Sequence, residues 1–166
     1  REYIALEAPD VIVNVVDAGA LERNLAFTVQ LMELEPRMVV ALNQVDVAES
    51  RGINVNPDAL SVLLGVPVVP TVAVKGVGLT DLMSKAMEAS EGAPVKPPVY
   101  GPEIEDRLRE ISDSVKVETP YPRRWVAIKL LEADTEVTGL VYGAQPEIRA
   151  RVDEAVRCIE EIHGHE

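Results

Sequence analysis

A single cysteine, Cys158, rules out an internal disulfide and fits a reducing compartment. Aromatic residues make up only 4% of the chain, so a core has to be built from Val, Leu, Ile and Ala, the usual filling under parallel sheets. No apolar run approaches the length that spans a bilayer, and the N-terminus lacks the layout of a signal peptide. Positive charge is scarce as well. With 16 Lys and Arg against 28 Asp and Glu, the formal net charge of −12 repels nucleic-acid phosphates and anionic lipid surfaces. What the chain does hold is 47% hydrophobic residues over 166 positions, ample for a buried core in one domain or one and a half.

Two halves of different grammar meet near Gly92-Ala93-Pro94-Val95-Lys96-Pro97-Pro98, a proline-rich stretch that cannot continue a helix and reads as a boundary. In the first half, Val11-Ile12-Val13-Asn14-Val15-Val16 is a nearly unbroken apolar run, the mark of a central parallel strand covered on both faces. Leu21, Leu25, Thr28, Val29 and Met32 then recur at helical spacing, and Met38 to Leu42 is the next strand. Asn56 followed by Pro57 is a helix start, Ala59, Leu60, Leu63 and Leu64 supply that helix's face, and Gly65 ends it. Val66 to Val69 reads as a third strand. Leu79, Leu82, Met83, Ala86 and Met87 form a last amphipathic helix with Thr80 as its cap. Alternating strand and helix predicts an α/β fold with a parallel sheet. The second half predicts a small all-helical bundle: a helix through Pro102, Ile104, Leu108 and Ile111, a second over 123–131, a short third over 136–142, and a long fourth from Pro146 through Ile162.

One stretch carries chemistry. The apolar strand Met38-Val39-Val40-Ala41-Leu42 ends abruptly on Asn43-Gln44-Val45-Asp46, an Asn-x-x-Asp pair lifted to the tip of a buried strand. In GTP-binding proteins an Asp so placed accepts from guanine N1–H and from the exocyclic N2 amine. Adenine lacks the amine and presents an acceptor at N1, so discrimination built on these partners is steep. The Asn amide supports the loop and reaches the purine N7. The plainer alternative is a strand-to-loop turn in which Asn43 and Asp46 only cap backbone groups. After the third strand, Pro70-Thr71-Val72-Ala73-Val74-Lys75-Gly76-Val77-Gly78 lies where ligands collect beside the first loop, and its backbone N–H groups can bond guanine O6. Alone it is equally an ordinary glycine turn before a helix. The two loops, in this order on consecutive strands, make the stronger case together.

Here the sequence resembles a known family. Asp17 with Leu21-Glu22-Arg23-Asn24-Leu25, then Ala41-Leu42-Asn43-Gln44-Val45-Asp46, then Leu64-Gly65-Val66-Pro67-Val68-Val69-Pro70, is similar to the GTPase domain of ferrous iron transport protein B. Pro122-Arg123-Arg124-Trp125-Val126-Ala127-Ile128-Lys129-Leu130-Leu131-Glu132 resembles the helical domain that follows it in that family. The resemblance implies an incomplete P-loop GTPase-type sheet over 1–93 and a helical regulatory domain, acting like a built-in inhibitor of nucleotide release, over 94–166. It implies GTP or GDP as ligand, with Asn43, Gln44, Val45 and Asp46 holding the base and Val72, Ala73 and Val74 lining its far side, mainly through backbone. Gln44 stands where many GTPases carry a Lys whose stem packs over the nucleotide, a departure that predicts modest affinity. The resemblance further implies magnesium in the intact domain, hydrolysis of GTP to GDP and phosphate, a membrane permease of the same protein as partner, and residence at the cytoplasmic face of the membrane.

A GTPase also needs a Gly-x-x-x-x-Gly-Lys phosphate loop, a Thr for the magnesium and an Asp-x-x-Gly, and none of these is in the chain. Arg1-Glu2-Tyr3-Ile4 reads as the tail of the helix that follows that last segment. The chain is therefore expected to begin partway through the domain, to lack catalytic residues and not to hydrolyse GTP alone. The strand at Val11 to Val16 becomes a free apolar edge, expected to be covered by a second copy, a homo-oligomer, or by rearranged chain. Cys158, His163 and His165 are weighed as metal ligands and set aside for poor spacing. The acidic cluster Glu103, Glu105, Asp106 and Glu110 reads as a solvated face, Trp125 as packing, and Asp17 as a cap for the next helix. Two rival readings stay open, a soluble GTPase of another kind and a non-enzymatic scaffold.

Overall fold

The computed structural model describes residues 2–164, His163 by its backbone alone. By contacts the chain divides after Pro98 into two compact units. In the first, a short helix α1 (Glu2–Glu7) precedes strand β1 (Ile12–Asp17), helix α2 (Leu21–Met32) and strand β2 (Met38–Asn43). Helices α3 (Val45–Ser50) and α4 (Pro57–Leu64), strand β3 (Val68–Thr71) and helix α5 (Leu79–Glu91) follow. The sheet runs β1-β2-β3, all parallel, in a register that pairs Asp17 with Asn43 and Asn43 with Thr71. One polar row thus crosses the carboxyl edge of the sheet.

Packing divides the strands by parity, as the pleat requires. Met38, Val40 and Leu42 of β2 join Val16, Met32 of α2, Ala48 of α3 and Leu60 of α4 in a core on one face. Val39 and Ala41 meet Val69 of β3 and Leu82 and Ala86 of α5 on the other. Asn14 is the one polar residue on the buried face of β1, and its amide donates to the buried Thr28 hydroxyl at 2.8 Å. Thr28 in turn donates to the Asn24 carbonyl at 3.0 Å, so neither group is orphaned.

Several expectations are corrected. β1 is covered on one face, not two: Ile12, Asn14 and Val16 point to α2, while Val13 and Val15 are exposed, Val15 by 60%. A helix about 10 Å wide spans two strands about 4.8 Å apart, so α5, lying on β2 and β3, does not reach the β1 side. Among the described residues no strand pairs with the outer edge of β1. The third strand runs over Val68–Thr71 instead of 66–69, because Val66 is tied back to α4 through the Ser61 hydroxyl on its carbonyl at 2.7 Å. Pro70 sits within it without breaking the ladder, since β3 is an edge strand. Thr80 does not cap α5. Gly78 does, at φ +78°, and a Cβ there would lie 2.2 Å from the Pro70 carbonyl oxygen, so the helix backs onto β3 only with glycine at this position. Met83 and Met87 face outward, leaving Leu82 and Ala86 as the buried stripe. Asn56 accepts from Ala59 N–H at 3.0 Å and Gly65 ends α4 in the left-handed region, both as the residue types predict. The stretch read as a linker is partly anchored: Val95 is buried in the first core and its N–H donates to the Pro36 carbonyl at 2.8 Å.

The second unit is helices α6 (Pro102–Ser114), α7 (Arg123–Leu131), α8 (Thr135–Ala144) and α9 (Ile148–His163). Leu108, Ile111, Trp125, Val126, Leu130, Val141 and Val152 are its buried centre. Trp125, the only tryptophan, is buried and stacks on Tyr121 with centroids 4.3 Å apart, so it serves packing, as expected. Asp134 caps α8 through its carboxylate on the Glu136 and Val137 N–H groups. α9 starts at Ile148, not Pro146. Gln145, buried at the end of α8, accepts from Lys116 N–H and donates to the Ser114 carbonyl, both at 2.9 Å. It closes the chain leaving α6 without regular structure.

Arg124 of α7 grips Glu105 of α6 with two N–H groups, at 2.6 and 2.8 Å, four-fifths buried on both sides. That grip, reinforced by the Tyr100 N–H, holds the Glu105 carboxyl below its ordinary value of 4.5 despite partial burial. Because the folded-state pKa is the lower one, the pair's contribution is full above about pH 4.5 and is lost as pH falls through the depressed value. Replacing Glu105 by Gln should cost about 1–3 kcal/mol at neutral pH and flatten the loss of stability on acidification. Urea unfolding at neutral and at acid pH measures both; an unchanged acid slope in Glu105→Gln would show that the pair is not the source.

Candidate functional site

β2 is buried from Met38 to Leu42, so its first polar side chain, Asn43, emerges where the sheet ends. The Asn43 side-chain carbonyl accepts from the Thr71 hydroxyl at 3.2 Å and from Ala73 N–H at 3.1 Å. One side chain thereby joins the loop after β2 to the loop after β3. Among the described residues nothing accepts from its amide nitrogen, which remains a free donor.

Gln44 turns the chain in the left-handed region, φ 60° and ψ 33°, a conformation that costs a non-glycine residue about 1–2 kcal/mol. The turn starts α3, with Ala48 N–H on the Gln44 carbonyl at 3.0 Å. Sequence reading treated this region as a loop and missed the helix, whose six residues are too short to show a period. Val45 packs its side chain against the first core. Asp46, in the first turn, is partly exposed. Its Oδ1 accepts from Val47 N–H at 2.9 Å and its Oδ2 lies 2.6 Å from Lys75 Nζ. The Lys75 hydrogen bond, working against desolvation, holds the Asp46 carboxyl below its ordinary value of 3.8, so it is ionised at neutral pH.

The loop after β3 is closed on itself. Val72 and Val77 exchange N–H···O bonds at 3.1 and 3.3 Å, and a single 3₁₀ turn over Ala73–Lys75 fills the tip, ended by Gly76 at φ 71°. Of the three backbone N–H groups expected to face a ligand, Val72's is spent on Val77 and Ala73's on Asn43. Val74 N–H donates to no described residue, and Val74 as a whole is 94% exposed. Two free donors, Val74 N–H and the Asn43 amide, thus share the rim with one carboxylate acceptor. A base with acceptors on one side and donors on the other matches that set. Sequence reasoning assigned no role to Thr71 or Lys75; for Lys75 the available signal was a lone cation in a loop set opposite a carboxylate.

The residues set aside stay outside this arrangement. Asp17 caps the 3₁₀ turn before α2 through Gly19 N–H at 2.8 Å, not α2 itself. Glu105, Asp106 and Glu110 each face an arginine, Arg124, Arg109 and Arg107. His165 and the His163 side chain lie outside the described residues, and among those described no group of three acidic, histidine or cysteine side chains could hold a metal ion.

Known proteins share both units. The family model described as ferrous iron transport protein B matches residues 1–86, and that of the FeoB cytosolic helical domain matches residues 100–166. The Fe(2+) transport protein A/Fe(2+) transporter FeoB fusion protein of Porphyromonas gingivalis is 39% identical over 97% of this chain and 20% of its own length. The Fe(2+) transporter FeoB of Salmonella typhimurium is 38% identical over 80% of this chain and 17% of its own. The chain therefore spans about a fifth of the length of the curated relatives it matches. A crystal structure of mGMPPNP-bound NFeoB from S. thermophilus superposes on the whole chain with a TM-score of 0.87 at 35% identity, covering 63% of that structure. NFeoB from S. thermophilus bound to GDP.AlF4- and K+ does so with a TM-score of 0.88 at 35% identity, covering 65%.

The Asn43 joint predicts a local effect. Asn43→Ala should cost about 1 kcal/mol and free Ala73 N–H, so amide exchange over 71–76 should quicken while that of β2 stays slow. Unaltered protection at Ala73 would show that the loop holds itself without Asn43.

Proposed function

The chain belongs to the ferrous iron transport protein B family, and we propose that its first unit carries the base-reading half of a guanine-nucleotide site. The observation that carries this is the pair of loops joined by Asn43, with Asp46 as the ionised acceptor beside them. Guanine would present N1–H and its N2 amine to Asp46, O6 to Val74 N–H and N7 to the free Asn43 amide. Gln44 and Val45 set the turn that lifts Asp46 to the rim, and Val72 and Ala73 hold the opposite loop in shape. Adenine would set its N6 amine against the Val74 donor and its N1 acceptor against the carboxylate. Two mismatched polar contacts of this kind exclude a ligand more sharply than a misfit in size.

In the intact domain, bound GTP would be hydrolysed to GDP and phosphate, and the nucleotide state would regulate passage of iron(II) through a membrane permease of the same protein. The helical unit would serve as the regulatory domain that slows nucleotide release, at the cytoplasmic face of the membrane. None of the described helices is long and apolar enough to cross a membrane. Magnesium, which the family implies for the intact domain, would be held by the Ser or Thr of a Gly-x-x-x-x-Gly-Lys-Ser/Thr phosphate loop, a motif this chain does not contain.

The test is a titration of the full-length gene product with a fluorescent GDP derivative, competed by GDP and by ADP. GDP alone should displace it. Asp46→Asn replaces one acceptor oxygen with an amide donor facing the N2 amine, so GDP affinity should fall about a hundredfold or more. Xanthosine diphosphate, whose C2 carbonyl accepts from that amide, should bind the variant better than it binds the wild type. Equal displacement by ADP, or an indifferent Asp46→Asn, would reduce Asn43 and Asp46 to turn residues.

A further inference from the structure

The base-reading carboxylate already has a partner. Lys75 and Asp46 are 29 positions apart, in different loops, and their charged atoms meet at 2.6 Å across the rim. Asp46 Oδ1 is engaged by Val47 N–H, so the lysine takes the oxygen that remains. A cation is a stronger partner for a carboxylate than a neutral N–H, so guanine's two donors meet a rival at the group that would receive them. The Lys75 side chain is 63% exposed against 34% for Asp46. Lys75 can therefore swing into water at little cost, and Asp46 stays at the rim with its turn intact.

We propose that Lys75 is an affinity-determining residue, a built-in competitor that occupies Asp46 in the nucleotide-free protein and has to leave before a guanine base can pair there. This rests on reading Asn43 and Asp46 as the guanine pocket. The same contact bridges the loop after β2 and the loop after β3. Since the ion pair is exposed, the competition is modest and screened by salt. It lowers the rate of association more than it alters dissociation, because the lysine acts on the empty site.

The experiment measures association and dissociation of a fluorescent GDP derivative with the full-length gene product, its Lys75→Met variant and its Lys75→Arg variant. Lys75→Met should bind about two- to fivefold more tightly, with the gain in the association rate. Lys75→Arg, which keeps the cation, should stay at or below wild-type affinity. Raising ionic strength should narrow the gap between wild type and Lys75→Met, since it weakens only the wild type's competitor. Weaker or unchanged binding by Lys75→Met would overturn the proposal, by making Lys75 a clamp or a bystander. Asp46→Asn separates the two failures: if it abolishes guanine preference while Lys75→Met is silent, the pocket stands and only the competitor falls. If Asp46→Asn is itself silent, the pocket reading fails first.

Discussion

β2 has no side open to water, and most of the first unit follows from that. Both faces of Met38 to Leu42 are buried, so helices must lie above and below the sheet, and the apolar run can end only where the sheet ends. The first polar side chain past that limit, Asn43, is held in place by the buried strand behind it. Its position is therefore more sharply defined than that of any residue on a free loop. The row Asp17, Asn43 and Thr71 comes from the same constraint, since parallel register carries the ends of neighbouring strands to one edge. Asp17 turns its capacity to the chain that enters α2. Asn43 and Thr71 turn theirs to each other.

That edge works by division of labour within single side chains. Asn43 spends its carbonyl on structure and keeps its amide. Asp46 spends one oxygen on Val47 and holds the other in an exposed ion pair. The loop after β3 satisfies Val72 and Ala73 and leaves Val74 N–H to the solvent. Polar groups that are fully satisfied internally cannot recognise anything, and wholly unsatisfied ones would not keep a loop in shape. The half-satisfied rim does both. The second unit shows the other extreme: Glu105 with Arg124, and Gln145 with Ser114 and Lys116, are closed on themselves and act as fasteners between helices.

Legibility from sequence followed the strength of the local signal. The parallel α/β pattern, the Asn56–Pro57 start of α4, its Gly65 stop and the helices of the second unit rest on spacing and cap chemistry, both local. The missed or shifted elements depend on distant partners. Val66 looked like strand and was held in a loop by Ser61. Thr80 looked like a cap, yet the close approach of α5 to Pro70 leaves only Gly78 able to start that helix. Val13 and Val15 looked buried on periodicity alone, but burial needs a helix overhead, and α5 lies over β2 and β3. α3 was invisible because one and a half turns have no period to read.

By itself the sequence determined the class of fold, the membership of the family and the residue types at the rim. Hydrophobic period, cap chemistry and a polar pair at the end of an apolar run are written along the chain. Only the tertiary structure decided which polar atoms at that rim are spent and which are free. Asn43 finds Ala73, and Asp46 finds Lys75, across about thirty residues of chain. Hydrogen bonds form by distance in space, and folding the two loops onto one sheet edge is what sets that distance.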